Sequence, residues 1–331
     1  MPDRKQPSFQ AVVRDDFALV DQCIREQLHS DVALVSKIGQ YIIQSGGKRL
    51  RPLLVLLTAN ACGYNARGHN GKNHIPLAAV IEFLHTATLL HDDVVDQSDL
   101  RRGRDTANAL WGNAPSILVG DFLYSRAFQM MVGLDNMRLL NVLANATNVI
   151  AEGEVMQLMN INDSSVTEAQ YMEVIRCKTA MLFEASTHTA AILSGQNKKT
   201  EQALCDYGNH LGMAFQLVDD LLDYGGDAEA MGKNLGDDLA EGKPTLPLIF
   251  TLSEGKPEQK ELVRQAIEEG NGLDNMETII TAVRDCGALG YTAQRAQEQA
   301  QKAITSLSVL PESPYRSAME ELANFAVART Y

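Results

Sequence analysis

Two stretches of this chain end in the same three-aspartate pattern. Leu-Leu-His-Asp-Asp-Val-Val-Asp finishes at Asp96, and Gln-Leu-Val-Asp-Asp-Leu-Leu-Asp finishes at Asp223. On a helix, at about 100° per residue, Asp92 with Asp96 and Asp219 with Asp223 each share a face. Ionised carboxylates this close repel, and burying them without partners is costly. Aspartate is also a poor helix former and is disfavoured at a helix C-terminus, where the dipole is negative. Local stability therefore gives no reason for the clusters, whereas a bound cation does. Mg²⁺ suits them, because it takes oxygen ligands, keeps several waters, and is held by one or two carboxylates together with substrate phosphate oxygens. The candidate ligands are Asp92, Asp96, Asp219, Asp220 and Asp223, and Asp93 completes the first triplet. One such cluster reads equally well as solvated surface; two of identical spacing, each enclosing an apolar pair, do not.

A metal-bound diphosphate also needs cationic neighbours. They occur at Lys48, Arg49 and Arg51, at Arg101, Arg102 and Arg104, at Lys178, and at Lys233 and Lys243. Each group alone is ordinary surface charge, and Lys48 to Arg51 lacks the spacing of a P-loop. Lys178 and Thr179, however, interrupt a mostly apolar run. Lys233 and Lys243 lie in 225–247, which carries five glycines and two prolines and follows directly on the second triplet. A long irregular segment there is where a lid over a diphosphate belongs. His85 stands two helical turns before Asp92, and Gln216 one turn before Asp219 and Asp220, with an amide able to donate to a phosphate oxygen.

The elements that must position these groups are helices. Residues 75–96 are apolar nearly all round, as in a helix buried on most sides. Helical periodicity recurs at 17–46 with a break near 30–31, and at 53–62, 116–132, 138–159, 167–193, 201–224, 257–269, 276–286 and 292–307. Residues 64–74 read as a surface loop, 98–113 as a polar stretch, and 1–10 as a loose tail. Scarcely any segment alternates as a strand would, so the class is all-α. The whole of 1–331 reads as one domain, a bundle of roughly ten or more helices in which the two acidic helix ends could face one mouth. At 331 residues and 45% hydrophobic content the chain can bury a large core. A net charge of −13 argues against nucleic acid as a partner. Five scattered cysteines without metal-ligand spacing fit reduced thiols in the cytoplasm. The N-terminus does not read as a signal peptide, and no apolar run reaches the ~20 residues of a membrane span.

Taken together, Gly-Gly-Lys-Arg-x-Arg-Pro at 46–52, both triplets, Arg101-Arg102-Gly103, Lys178-Thr179, Gln216 and the Gly-Lys-x-x-Gly-Asp-Asp-Leu-x-x-Gly-Lys-Pro-Thr-x-Pro loop at 232–247 resemble the trans-isoprenyl diphosphate synthase family. Gly-Glu-Val-Met-Gln-Leu at 153–158 is similar to its long-chain bacterial members. The resemblance implies helices around a central cavity, homodimerisation, and about three Mg²⁺ ions per active site. Asp92 and Asp96 would hold two of the ions, and Asp219, with Asp220 and Asp223 nearby, another. Lys178, Thr179, Gln216, Lys233 and Arg101 would contact an allylic diphosphate, expected to be farnesyl diphosphate. Lys48, Arg51, His85 and Arg102 would contact isopentenyl diphosphate, and Lys243 matches the family's loop lysine. The implied product is a long all-trans polyprenyl diphosphate of octaprenyl length, a precursor of a respiratory quinone side chain. Transient membrane contact would suit so lipophilic a product.

Product length is a matter of geometry. The chain would grow from Asp92 back along its own helix, past Thr88, Ala87 and Leu84. Short-chain relatives place an aromatic residue at 87 or 88; Ala87 and Thr88 are small, which puts the floor deeper, at Phe128, Met130 or Met131. Other chain lengths remain alternatives within this chemistry. A terpene cyclase would lack the second set of diphosphate-binding cations, and a non-catalytic partner subunit would typically have a degraded triplet. The C-terminus lacks the basic ending of several relatives.

Overall fold

The run expected at 75–96 is a helix, His74–Val95, in which Leu77, Ala78, Val80, Ile81, Phe83, Leu84 and Ala87 are all buried. Burial of each large apolar side chain contributes about 1.5–3 kcal/mol, which outweighs the weak helix propensity of its β-branched members. In the computed structural model the described residues are 8–64, 72–101, 103–225, 236–270 and 272–328. The all-α expectation holds: the described residues are overwhelmingly helical, and their strands are the antiparallel pair Leu100–Arg101 and Arg104–Asp105. The chain divides into two compact units: Met1–Thr147, Leu182–Gly208 and Ser306–Leu322 form the first, and Asn148–Met181, Asn209–Thr305 and Ala323–Tyr331 the second.

In the first unit, helices Arg14–Gln27, Leu50–Ala61 and Asn113–Gly133 all pack on His74–Val95. Asp16 joins three of these elements. It lies 3.3 Å from the His74 imidazole and accepts a hydrogen bond from Asn60 Nδ2 at 3.0 Å. The contact with His74, assisted by Asn60, holds the Asp16 carboxyl below the usual carboxylate range despite its partial burial. The break expected near 30–31 separates Arg14–Gln27 from Ala33–Gln44.

The C-terminus of His74–Val95 has a defined stop. Gln97 takes a left-handed φ of 53°, Ser98 N–H donates to the Asp93 carbonyl at 3.0 Å, and Gln97 N–H donates to that of Val94 at 3.4 Å. This is the Schellman pattern, which satisfies carbonyls left over at a helix end. The polar stretch 98–113 is structured: the two-residue strands turn at Gly103, whose φ of +72° is open to glycine, and Thr106 caps a short helix, Ala107–Trp111.

In the second unit, Glu168–Ile175 starts with a capping box between Thr167 and Gln170. The sequence reads 167–193 as one uninterrupted helix, but Arg176–Ala180 is a π-helical turn. Helix Met137–Asn160 comes very close there, since a Cβ on Gly153 would lie 2.7 Å from the Lys178 amide nitrogen. Glycine permits that approach, and a π turn of this kind often marks a functional segment. One core of this unit gathers Val166, Tyr171, Ile175, Met213, Leu217 and Leu246, and another Tyr224, Leu239, Leu248, Val263, Ile267 and Ile279.

Candidate active site

The Schellman stop sets the first triplet. Asp92 and Asp96 are half-buried, while Asp93 is fully buried. Arg101 Nε donates to Asp93 Oδ1 at 2.6 Å. Asn108 Nδ2 donates to the carbonyls of Asp93 and Ser98 at 3.2 and 3.1 Å, and the Thr106 hydroxyl donates to that of Ser98 at 2.7 Å. The small hairpin carrying Arg101 is thereby fastened to the end of the aspartate helix. A charge-assisted hydrogen bond to a buried carboxylate also limits the directions the guanidinium can take.

Arg51 and His85, expected to share one substrate, are together. Arg51 Nη1 lies 3.2 Å from His85 Nε2, and the guanidinium lies over the Phe183 ring, 4.4 Å from its centroid. Arginine can only donate, so in a hydrogen bond between the two His85 Nε2 is the acceptor. Lys48 is exposed at the start of this segment. Two neighbouring cations serve the fold. Arg49 pairs with Asp21 and lies 3.8 Å from Glu82, and Arg104 lies over the Tyr41 ring while donating to the Gln44 carbonyl.

The expected length-determining residues fall on two helices of the same unit that pack extensively, His74–Val95 and Asn113–Gly133. Leu84, Ala87 and Met131 are buried, and Thr88, Phe128 and Met130 half-buried. The Thr88 hydroxyl donates to the His85 carbonyl at 2.8 Å, so its polarity is spent on its own backbone. Phe128 packs on Tyr124 with ring centroids 5.7 Å apart.

In the second unit the π turn presents Lys178 and Thr179. Lys178 Nζ donates to Glu154 at 2.6 Å. Thr179 donates its hydroxyl to Gln216 Oε1 at 2.9 Å, Gln216 Nε2 donates to Asp220 Oδ1 at 2.7 Å, and the Tyr171 hydroxyl donates to Asp220 Oδ2. Burial pushes the Asp220 carboxyl up to about 8; the negative charge of Asp238 adds to this, and the two donors oppose it. Burial likewise pushes the Tyr171 hydroxyl well above its ordinary value. Asp219 is exposed beside it. Asp223, expected as a metal ligand, is buried and accepts from the backbone N–H groups of Gly236 and Asp238 at 3.2 Å each, anchoring the start of helix Asp237–Ala240. Lys243 is buried and pairs with Glu241. Arg102 and Lys233 lie outside the described residues.

Among the described residues no three His, Cys, Asp or Glu side chains form a ready-made metal cage. The oxygen donors present are those of a hard cation that completes its shell with water and substrate phosphate, and Mg²⁺ fits them. Sequence reasoning missed Tyr171, Glu154 and Asn108. Glu154 carried a faint signal as a carboxylate in the 153–158 motif, but nothing local marks a tyrosine that reaches an aspartate 49 residues away.

The comparisons with known proteins agree along the whole chain. It is 55% identical to the octaprenyl diphosphate synthase of Escherichia coli (strain K12), over 95% of this chain and 96% of that one. It is 49% identical to an all-trans-nonaprenyl-diphosphate synthase (geranyl-diphosphate specific) of Rhodobacter capsulatus, over 96% of each. The crystal structure of a polyprenyl synthase from Caulobacter crescentus CB15, complexed with calcium and isoprenyl diphosphate, superposes with a TM-score of 0.93 at 43% identity, covering 98% of both chains. Residues 32–283 match the family described as Polyprenyl synthetase. With the family's sequence pattern spanning most of its length and relatives matching it nearly end to end, this chain belongs to the polyprenyl synthetase family.

Proposed function

We propose that this chain is a Mg²⁺-dependent trans-prenyltransferase that adds isopentenyl diphosphate units to an allylic diphosphate, with farnesyl diphosphate as primer and an octaprenyl product. The observation that carries the reading is that both aspartate triplets stand whole at helix ends, with the middle carboxylate of each braced by protein donors. The near end-to-end identity to octaprenyl diphosphate synthases supports the chain length. We assign ion binding to Asp92, Asp96 and Asp219, and give Asp93, Asp220 and Asp223 the task of holding their neighbours.

In one turn of the reaction the allylic C–O bond breaks, its electron pair leaves with diphosphate, and an allylic cation remains. The π electrons of isopentenyl diphosphate then form the new C–C bond, and loss of a proton to the released diphosphate restores a double bond. Bound Mg²⁺ supplies Lewis-acid stabilisation of the departing diphosphate. Lys178, Thr179, Gln216 and Arg101, with Lys233 and Lys243, bind and orient that leaving group. Arg51 and His85, with Lys48 and Arg102, hold the isopentenyl diphosphate. Preoriented donors of this kind act where charge develops, and apolar helices keep water from the cation. Leu84, Ala87 and Thr88, then Phe128, Met130 and Met131, would line the path of the growing product.

The whole chain would act as one catalytic domain in the cytoplasm, feeding quinone side-chain synthesis. No helix among the described residues is long and apolar enough to cross a membrane. We read the partner as a second copy of the chain, as the resemblance to the family implies. Incubating the chain with farnesyl diphosphate, labelled isopentenyl diphosphate and Mg²⁺, followed by chromatography of the dephosphorylated product, tests the proposal. An octaprenol peak is expected. A cyclic hydrocarbon formed without isopentenyl diphosphate would make it a terpene cyclase, and no product from the isolated chain would make it a partner subunit.

A further inference from the structure

Tyr171 belongs to none of the motifs that carry the reaction, yet it is placed as though one of them depends on it. Its ring sits in the core of the second unit with Val166, Ile175, Met213 and Leu217, and only 5% of the residue is exposed. A tyrosine this deep needs a partner for its hydroxyl. The partner is Asp220 Oδ2, at 2.5 Å, and Asp220 is itself only 3% exposed. The other oxygen of Asp220 accepts from Gln216 Nε2, and Gln216 Oε1 accepts from Thr179.

The result is one directed chain of hydrogen bonds, from Thr179 to Gln216 to Asp220, with Tyr171 closing it from the far side. Tyr171 and Gln216 Nε2 each donate to one oxygen of Asp220, so Asp220 holds the Gln216 amide nitrogen toward itself and leaves the amide oxygen to accept from Thr179. One N–H of Gln216 is left outside the chain. With both its oxygens engaged, Asp220 cannot turn without breaking a bond to a buried donor. Helix Glu168–Ile175 also runs directly into the π turn Arg176–Ala180, so the same rigid element supplies Tyr171, Lys178 and Thr179.

We propose that Tyr171 is a positioning residue for prenyl transfer: acting through Asp220, it fixes the orientation of the Gln216 amide, whose remaining N–H is the donor offered to the allylic diphosphate. This rests on the reading that Gln216 binds that diphosphate. Tyr171 touches no substrate, and its removal should not disturb isopentenyl diphosphate.

Tyr171→Phe keeps the ring in the core and deletes the hydroxyl alone. In steady-state assays of the full chain with Mg²⁺, KM for farnesyl diphosphate should rise roughly tenfold and KM for isopentenyl diphosphate should stay within about twofold. Gln216→Ala should weaken farnesyl diphosphate binding similarly, and the Tyr171→Phe, Gln216→Ala pair should be no worse than Gln216→Ala alone, because the two act in series. Additive losses in the double variant would overturn the proposal. So would an unchanged KM for farnesyl diphosphate, or a fall in kcat with both KM values unchanged, which is what a mere loss of folded protein gives. If Tyr171→Phe is too unstable to assay, Asp220→Asn, which leaves the Tyr171 ring in the core and turns one accepting oxygen into a donor, replaces it in the same cycle against Gln216→Ala, and the same comparison decides. Absence of prenyl transfer by the unaltered chain would remove the parent reading and this inference together; normal transfer with an indifferent Tyr171→Phe would remove this inference alone.

Discussion

Asp93 and Asp220 show how much a single carboxylate's role depends on what donates to it. Each is the middle member of its triplet, each is buried, and each is tied to protein donors: Arg101 for the first, Tyr171 and Gln216 for the second. A buried carboxylate without such donors would cost several kcal/mol or stay protonated. The candidate phosphate-binding cations follow the same pattern, with Arg101, Lys178 and Lys243 each paired to an acid nearby. A guanidinium or ammonium held this way loses less freedom when an anion arrives. Asp93→Ala should therefore lower kcat/KM for prenyl transfer by about 10²-fold and stability by about 1–3 kcal/mol. The Asp93→Ala, Arg101→Ala double variant should turn over little worse than Arg101→Ala alone, because Asp93 acts through Arg101; steady-state kinetics and urea unfolding of the four proteins would check it.

At the scale of the element, the aspartate helix and its neighbours do two jobs. Its body is apolar core, and its end, shaped by Gln97 and Ser98, presents carboxylates. The start of that helix meets Asp16 of Arg14–Gln27 through His74, and Asn60 of Leu50–Ala61 donates to the same carboxylate. Because the folded Asp16 carboxyl lies below its ordinary value, its stabilising contribution is complete above about pH 4 and is lost as pH falls through the folded value. Asp16→Asn should cost about 1 kcal/mol at pH 7. The gap to the unaltered chain should close below pH 4, as urea midpoints at several pH values would show. Ala87→Tyr puts a large side chain at a fully buried position of the same helix. It should shorten the product distribution and cost about 1–3 kcal/mol in packing; chromatography of the product reports the first effect, and an unchanged length would count against the proposed direction of growth.

For the whole molecule, the chemistry and the stability should separate. The cores are apolar, around residues such as Phe83, Leu84, Met213 and Leu217, so folding does not wait on a metal. Chelation with EDTA should abolish turnover while leaving the helical circular dichroism intact, and added Mg²⁺ should restore activity. A collapse of the helical signal on chelation would mean that the ion is structural instead.

Helical periodicity made most elements legible in the amino-acid sequence, because burying one face of a helix imposes a local repeat. The two triplets and most of the cations were legible too, since their residue types and spacing have little local justification. The sequence by itself thus determined the class of fold, the motifs and the class of reaction they suit. Tertiary structure alone decided which donor meets which carboxylate: that Arg101 turns to Asp93, that Tyr171 reaches Asp220, that Asp223 holds Gly236, and that a π turn interrupts an otherwise unbroken helical pattern. The physical reason is one of range. A helix is specified by neighbours three and four residues apart, whereas a hydrogen bond between a buried tyrosine and an aspartate depends on where separate elements come to rest, and that is set by the packing of the core as a whole.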